Sequence, residues 1–216
     1  MEPAVIRTFG TSNLDWEDWL ERLRLSQKKH GVGMVVDVRS IPHSSRHPWF
    51  DGPTLRQSLN QAGFEYWYLG KSLGGRPRRI SLYHPEGHAW FEKIQNTDIF
   101  QAALTKLINA SRQLGSVLIC GEEDPLECHR GLMIAPALAL RGVTVIHDRK
   151  GQRVETMPEF EDRLLRASGV DPAQGNLFDL PGQSHHLRSA YDLRSAYEWA
   201  NRKNAFRFDP AFAVDP

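Results

Sequence analysis

Short apolar runs alternate with longer segments of helical periodicity over the first two thirds of the chain. The apolar runs have the length of buried strands and cover residues 5–9, 34–38, 64–69, 116–120 and 143–146. The segments between them predict helices over 15–29, 54–62, 97–114 and 131–140. Strands that alternate with helices favour parallel pairing, so the sequence predicts an α/β fold with a mostly parallel, Rossmann-like sheet and helices on both faces.

The composition changes after residue 168. Residues 169–184 are rich in proline, glycine, glutamine and aspartate, which is typical of a linker. The sequence Leu-Arg-Ser-Ala-Tyr then occurs at 187–191 and again at 193–197, and this region predicts a helix that ends near Asn204. We therefore predict an α/β domain over 1–168, a linker over 169–185, and a helical C-terminal appendage with a tail over 186–216.

Composition limits the environment and the partners of the protein. The net charge of the 216 residues is only +1, so the chain as a whole is not a general trap for nucleic acid. It has no apolar run of about 18 residues, as a membrane span requires, and its start lacks the layout of a signal peptide. We expect a cytoplasmic protein without a membrane partner, whose two cysteines are reduced thiols.

Each predicted strand is followed by polar residues, and a parallel sheet would bring these loops to one edge as a ligand crevice. The glycine-containing loops match neither the phosphate-binding nor the dinucleotide-binding pattern, so we predict no cofactor. Arg39 lies close to Asp37, so it can form a structural ion pair with Asp37 instead of binding a substrate. The candidate substrate-binding residues are Thr11, Ser12, Asp37, Arg39, Ser40, Arg46, Tyr66, Gly74, Gly75, Arg76 and Arg130, and a nucleic-acid patch is predicted at Lys71, Arg78 and Arg79.

The turn over 120–130 contains both cysteines of the protein. Asp124 and Pro125 resemble the capped start of a helix, which would put Cys128 in the first helical turn. The helix dipole and Arg130 would favour a thiolate there, while the nearby glutamates oppose it. The candidate catalytic residues are Cys128, His129, Glu122 and Glu123.

Three other interpretations of this turn stay open at the level of sequence. Cys128 can be a small packed residue, with His129 and Arg130 fixing loops. A redox pair of Cys120 and Cys128 needs a close approach of the two side chains. A zinc site is the third interpretation, but the two cysteines lack paired Cys-x-x-Cys spacing and a fourth ligand would have to come from elsewhere in the chain. Our prediction is that the site holds no metal.

Four segments of the chain carry recognisable motifs: Thr-Phe-Gly-Thr-Ser at 8–12, Asp-Val-Arg-Ser-Ile-Pro at 37–42, Gly-Phe-Glu-Tyr at 63–66 leading to Leu-Gly-Gly at 73–75, and Cys-Gly-Glu at 120–122 with Cys-His-Arg at 128–130. Together these segments resemble the domain of unknown function 488 (DUF488) family. The resemblance spans about residues 4–148 and implies a compact α/β fold. Some relatives are associated with DNA repair or base-excision domains, which favours nucleic-acid chemistry. The family usually has isoleucine and histidine where this chain has Phe9 and Thr11, so no side-chain role carries over to position 11.

The predicted linker contains a second motif. Gln174, Leu177 and Phe178 resemble the peptide that binds the bacterial sliding clamp, in which a glutamine precedes a Leu-Phe pair. Two apolar anchors on a flexible strand suit a partner groove. The alternative is that both apolar residues tether the linker to the domain.

The sequence therefore supports three functional hypotheses. The leading one is an enzyme that acts on DNA or a nucleotide-like substrate by hydrolysis at a base or its sugar bond. Glu122 or Glu123 would activate water and His129 would serve as acid or base, while an aromatic side chain stacks on a base. The second is a thiolate enzyme that uses Cys128 on a small sulfur- or phosphate-bearing molecule. The third is a non-catalytic nucleotide- or clamp-binding module.

Overall fold

The computed structural model describes residues 4–11, 14–169 and 190–210. Its sheet has six strands in the order β3-β2-β4-β1-β5-β6. Strands β1 to β5 pair in parallel, and β6 is antiparallel to β5 at one edge. The predicted mostly parallel sheet is confirmed, although β6 was not predicted. The strands are β1 (Val5–Gly10), β2 (Val32–Asp37), β3 (Glu65–Tyr68), β4 (Gly115–Cys120), β5 (Thr144–Asp148) and β6 (Val154–Thr156).

Helices connect the strands, and their ends follow ordinary capping chemistry. The first helix starts after Asp15, whose carboxylate accepts from the Asp18 amide, and ends at Gly31 with a left-handed φ of 68°. The helices are α1 (Trp16–His30), α2 (Gly52–Gln61), α3 (Gly70–Leu73), α4 (Phe91–Gln95), α5 (Asp98–Gln113), α6 (Ala135–Ala139), α7 (Met157–Ala167) and α8 (Ala190–Asn204). The predicted C-terminal helix is therefore present as α8.

Two hydrophobic cores cover the two faces of the sheet. One core packs apolar residues of α1 and α2 against β1, β2 and β4. The other packs α5, α6, α7 and α8 against the opposite face of the same strands. Because side chains alternate along a strand, Val117 and Leu118 of β4 belong to different cores. The prediction of helices on both faces is confirmed.

The appendage docks on the second core. Ala196 and Ala200 of α8 are buried there, and the Asn201 side chain donates to the Ala89 carbonyl at 2.9 Å. The predicted linker lies almost entirely outside the described residues. Among the helices that are described, none combines the length and the apolar character needed to cross a bilayer.

The carboxyl ends of the parallel strands meet at one edge, as predicted. The Thr11 amide after β1 donates to the carbonyl of Cys120 at 2.9 Å, and the Val38 amide after β2 donates to the carbonyl of Ile119 at 3.1 Å. The Leu69 amide after β3 donates to the Asp37 carbonyl at 2.9 Å. The loops that follow β1, β2, β3 and β4 are thereby held beside one another.

The turn after β4 differs from the prediction in one respect. Asp124 caps only a single 3₁₀ turn, Pro125–Glu127, by accepting from the Leu126 amide at 2.9 Å. Cys128 then has an extended backbone, with φ −135° and ψ 138°. A π-helical turn, Arg130–Ile134, follows and leads into α6. The placement of Cys128 inside a first helical turn was wrong, because the turn at Pro125 ends before the helix begins.

Candidate active site

Two thiols and one imidazole converge at the end of β4. The Cys120 sulfur lies 3.7 Å from Nδ1 of His129, and the Cys128 sulfur lies 3.9 Å from the same nitrogen. The three atoms all lie within 4.8 Å of one another. Cys120 and Cys128 are free thiols that are 4% and 2% exposed. We call these three residues the thiol–imidazole cluster.

The orientation of the imidazole is fixed by a neighbouring strand. Nε2 of His129 lies 2.9 Å from the Val38 carbonyl, which can only accept, so Nε2 carries a proton. Nδ1 is thereby directed at the two sulfurs. Burial lowers the pKa of His129, but the Cys128 sulfur and the Glu122 carboxylate outweigh burial and leave this pKa raised.

A glycine after β3 makes room for the ring. A Cβ added at Gly75 would come within 2.8 Å of the His129 side chain, so a larger residue at this position would displace the ring or the loop. Loops that follow β2, β3 and β4 therefore all contribute to the position of one imidazole. The predicted residue Gly75 acts here through packing.

The environment of Cys128 favours a thiolate. The Arg130 amide donates to the Cys128 sulfur at 3.5 Å. Burial raises the pKa of the Cys128 thiol, but the Cys120 thiol, the Arg130 guanidinium and the His129 ring together hold it well below its usual value. Cys128 in turn raises the pKa of Cys120, with burial adding to the effect. The pair thus favours a state with one thiolate, on Cys128, and one thiol, on Cys120.

Glu122 links the cluster to solvent. Glu122 as a whole is exposed, and one of its carboxylate oxygens lies 3.0 Å from the Cys120 sulfur. Burial of the carboxylate against the sulfurs and the charge of Cys128 raise the pKa of Glu122. This carboxylate is placed to accept the proton of Cys120.

Glu123 is occupied by other groups. It accepts from the Lys150 amide at 2.6 Å and from the Arg149 guanidinium at 3.2 Å, and these contacts outweigh burial and lower its pKa. A carboxylate held in this way is a weak base. The structure therefore separates the two predicted catalytic glutamates, and only Glu122 contacts the cluster.

Arg130 is fully buried beneath the cluster. Its guanidinium donates to the carbonyls of Glu122 and Glu123, both at 2.6 Å, and to the Thr8 hydroxyl at 3.4 Å. These contacts fix the loop that follows β4 and place a positive charge near both sulfurs. Substrate binding by Arg130 remains a prediction.

Thr8 and His147 were not among the candidates from sequence. The Thr8 hydroxyl lies 2.8 Å from Nδ1 of His147, on the neighbouring strand. Nε2 of His147 is buried without a hydrogen-bond partner. Burial, together with the charge of Arg130, lowers the pKa of His147 to about 3, so this ring is neutral at pH 7. Strand register alone brings both residues next to Arg130, a contact that the sequence does not reveal.

The predicted residues Asp37, Arg39 and Tyr66 hydrogen-bond to one another at the end of β2 and in β3. Arg39 donates to the Asp37 carboxylate at 2.9 Å and to the Phe50 carbonyl at 2.7 Å. The Tyr66 hydroxyl donates to Asp37 at 2.9 Å. Of the two interpretations of Arg39, the ion pair is the one seen in the structure.

The remaining candidates fall into four groups. Thr11 and Ser40 stabilise loops, because the Thr11 hydroxyl donates to the Cys120 carbonyl at 3.1 Å and the Ser40 hydroxyl accepts from the Arg76 amide at 2.9 Å. Gly74 packs tightly against Ser40. The exposed cations are Arg46, Lys71, Arg76, Arg78 and Arg79. Ser12, Gln174, Leu177 and Phe178 lie outside the described residues.

The cluster also has the donor types that soft metals prefer. A four-coordinate structural zinc site needs four protein ligands. In the described part of the chain, the group that includes Cys120, Cys128 and His129 has only these three members. A second group of three close donors is formed by His84, Glu86 and His88, far from the strand ends in sequence. The cluster alone is thus one protein ligand short of a closed zinc site.

Fold and site together define an α/β protein with a thiol–imidazole cluster at the carboxyl edge of a parallel sheet. The chain belongs to the domain of unknown function DUF488 family, whose model matches residues 20–138, more than half of the sequence. The match includes the whole cluster, whereas β1 and β5 lie outside it. No curated protein and no solved structure has significant similarity to the chain.

Proposed function

We propose that this protein is an enzyme in which the Cys128 thiolate is the nucleophile. The observation that carries the proposal is the environment of the Cys128 sulfur: the Arg130 amide at 3.5 Å and the His129 ring nitrogen at 3.9 Å. A donated N–H bond and adjacent positive charge stabilise a thiolate, which is the reactive form of cysteine. The substrate would be a small molecule with an electrophilic sulfur or phosphorus atom.

The contacts of the cluster give less support to a DNA hydrolase, the leading hypothesis from sequence. His129 would need a free ring nitrogen to act as acid or base, but one nitrogen faces the Val38 carbonyl and the other faces the two sulfurs. Glu123 is held by Arg149. Thiol chemistry is compatible with both contacts: the Val38 carbonyl holds Nε2, and Nδ1 can stabilise a neighbouring sulfur anion.

Alkylation by iodoacetamide tests the proposal. The rate at Cys128, measured by mass spectrometry across pH with EDTA present, should have a midpoint well below the value of about 8.5 for a free thiol. Cys120→Ser isolates the rate at Cys128, and Cys128→Ser provides the matched control for Cys120. A midpoint at or above that of a free thiol would contradict the proposal, as would a Cys128 that reacts only after unfolding.

A second candidate activity is contact with a nucleic-acid backbone through the loop that follows β3. Its four cations, Lys71, Arg76, Arg78 and Arg79, are all exposed and lie within residues 71–79, so we treat them as a local basic patch in a chain of net charge +1. The Arg76 guanidinium also stacks on the Phe206 ring at 4.6 Å, which ties the loop to the segment after α8. This patch is the feature that favours a DNA or nucleotide-like ligand.

A mobility shift with a DNA fragment at low salt tests this patch. The double variant Arg78→Ala, Arg79→Ala should weaken binding and reduce its salt dependence by about two counterions. A double variant of exposed cations on α1, Arg24→Ala with Lys28→Ala, serves as the charge-matched control. Equal losses in both double variants would mean that the patch is not a specific surface.

A further inference from the structure

We infer that the thiol–imidazole cluster is a two-thiol redox centre that acts on disulfides, with Cys128 as the attacking thiol and Cys120 as the resolving thiol. The inference rests on the proposed function, because it requires Cys128 to be a nucleophile. It adds a role for Cys120 and a substrate class. Three features of the cluster carry it: proximity, unequal thiol environments, and a base beside Cys120.

The two sulfurs are close enough to form a bond after a small movement. They lie within 4.8 Å of each other, and both approach the same ring nitrogen. A disulfide requires a sulfur–sulfur distance of about 2.05 Å. Rotation of a cysteine between staggered rotamers is a movement of the required size. Cys128 lies in an extended segment between two helical turns, so such a rotation breaks no helix.

The two thiols are not equivalent. Cys128 accepts from the Arg130 amide at 3.5 Å, which suits a thiolate. Cys120 has the Glu122 carboxylate at 3.0 Å as an acceptor for its own proton. Thiol–disulfide exchange needs one thiolate that attacks first and a second thiol that is deprotonated afterwards. The positions of Cys128 and Cys120 match these two roles in that order.

The reaction balances with a disulfide as the oxidant. The Cys128 thiolate attacks one sulfur of R–S–S–R, the S–S bond breaks, and one RS⁻ leaves while a mixed disulfide forms on Cys128. Glu122 takes the proton of Cys120, whose thiolate attacks the Cys128 sulfur and expels the second RS⁻. Glu122 then passes the proton to a departing thiolate. The protein loses two electrons as Cys120 and Cys128 form a disulfide, and the substrate gains two as it becomes RS⁻ and RSH.

Burial and charge restrict the substrate. Cys120 and Cys128 are only 4% and 2% exposed, so a compact disulfide is favoured over a protein disulfide. The exposed residues next to the two cysteines include Glu122 and Glu127. Their negative charges favour a neutral or cationic disulfide over an anionic one.

Cystamine, a small dicationic disulfide, is therefore the probe. The reduced full-length protein is mixed with cystamine in the presence of EDTA. The reaction is quenched with acid, and the intact mass of the protein is measured by mass spectrometry. Wild type should pass through a transient cysteamine adduct to a form that lacks two hydrogens. Cys120→Ser should stop at one stable adduct on Cys128, and Cys128→Ser should form none. Glu122→Gln should slow the conversion of the adduct to the internal disulfide by a factor on the order of 10², measured against the rate of adduct formation in the same variant.

The outcomes separate the two claims. If wild type keeps the same stable adduct as Cys120→Ser, the resolving role is refuted while a nucleophilic Cys128 survives. If the folded wild type forms neither adduct nor internal disulfide, both the redox inference and the proposed function fail. The wild-type time course decides the question even where a cysteine variant does not fold.

Discussion

Arg130 is the residue whose removal should affect both the stability and the chemistry of the site. Its guanidinium donates to two backbone carbonyls at 2.6 Å and to the Thr8 hydroxyl at 3.4 Å. Bonds from a charged donor contribute about 1.5–3 kcal/mol each. The two carbonyls lie in a loop that reaches solvent and regain water in part, so we expect Arg130→Met to lower the free energy of unfolding by about 3 kcal/mol. That is a large share of the roughly 5–15 kcal/mol available to a folded protein.

Urea denaturation followed by far-UV circular dichroism measures the first effect. Arg78→Met removes an exposed arginine and should change stability by less than about 0.5 kcal/mol, so it serves as the control. The second effect is on the thiol: loss of the positive charge should raise the alkylation midpoint of Cys128. Equal stability of the Arg130→Met variant and its control, or an unchanged midpoint, would refute the role that we assign to Arg130.

Three further predictions concern other parts of the molecule. The pKa of His147 is about 3 in the folded state and roughly 6.5 in the unfolded chain, so the unfolded chain binds a proton first as the pH falls. The free energy of unfolding should therefore fall by up to about 1.4 kcal/mol per pH unit from near pH 6.5 down towards pH 3. In urea titrations His147→Gln should flatten this slope, whereas parallel slopes would show that another group is responsible. Gly75→Ala should destabilise the protein by about 1–3 kcal/mol, because the added Cβ meets the imidazole of the cluster. Gly121→Ala is the control, since a Cβ at Gly121 has open space around it. Similar melting temperatures of the two variants in thermal melts would contradict this packing. The sequence predicts that Gln174, Leu177 and Phe178 bind a sliding clamp, so wild type should be retained by purified clamp in a pull-down and the double variant Leu177→Ala, Phe178→Ala should not; undiminished retention of the double variant would rule out the motif.

The fold was largely accessible from the sequence because the three central strands, β2, β4 and β1, are buried along almost their whole length. Strands of this kind contain short apolar runs, and the helices between them have the spacing of amphipathic helices. Strand β6 was missed for a physical reason: its three residues have only Glu155 buried, so it carries no apolar signal. The very short helix α3 lies in a glycine-containing loop whose composition is typical of irregular structure.

The site was accessible only in outline. Topology predicted that the loops would meet, and they do. Sequence could not tell whether an arginine would face a substrate, a carboxylate or a carbonyl, and Arg39 and Arg130 are both bonded inside the protein. The Val38 carbonyl, which orients His129, has no side-chain signature at all. The His129 ring and the Val38 carbonyl are 91 residues apart in sequence, so their contact depends on the packing of the completed sheet.

Strand β4 has consequences for how the protein must assemble. Its neighbours, β2 and β1, are both distant in sequence, with Cys120 of β4 registered opposite Gly10 of β1. Pairings of this kind form slowly, because long loops must close before the contacts exist. Until β4 inserts between its neighbours, both thiols stay open to any oxidant in the surroundings. A reducing environment during synthesis would keep both cysteines as thiols until the sheet is complete.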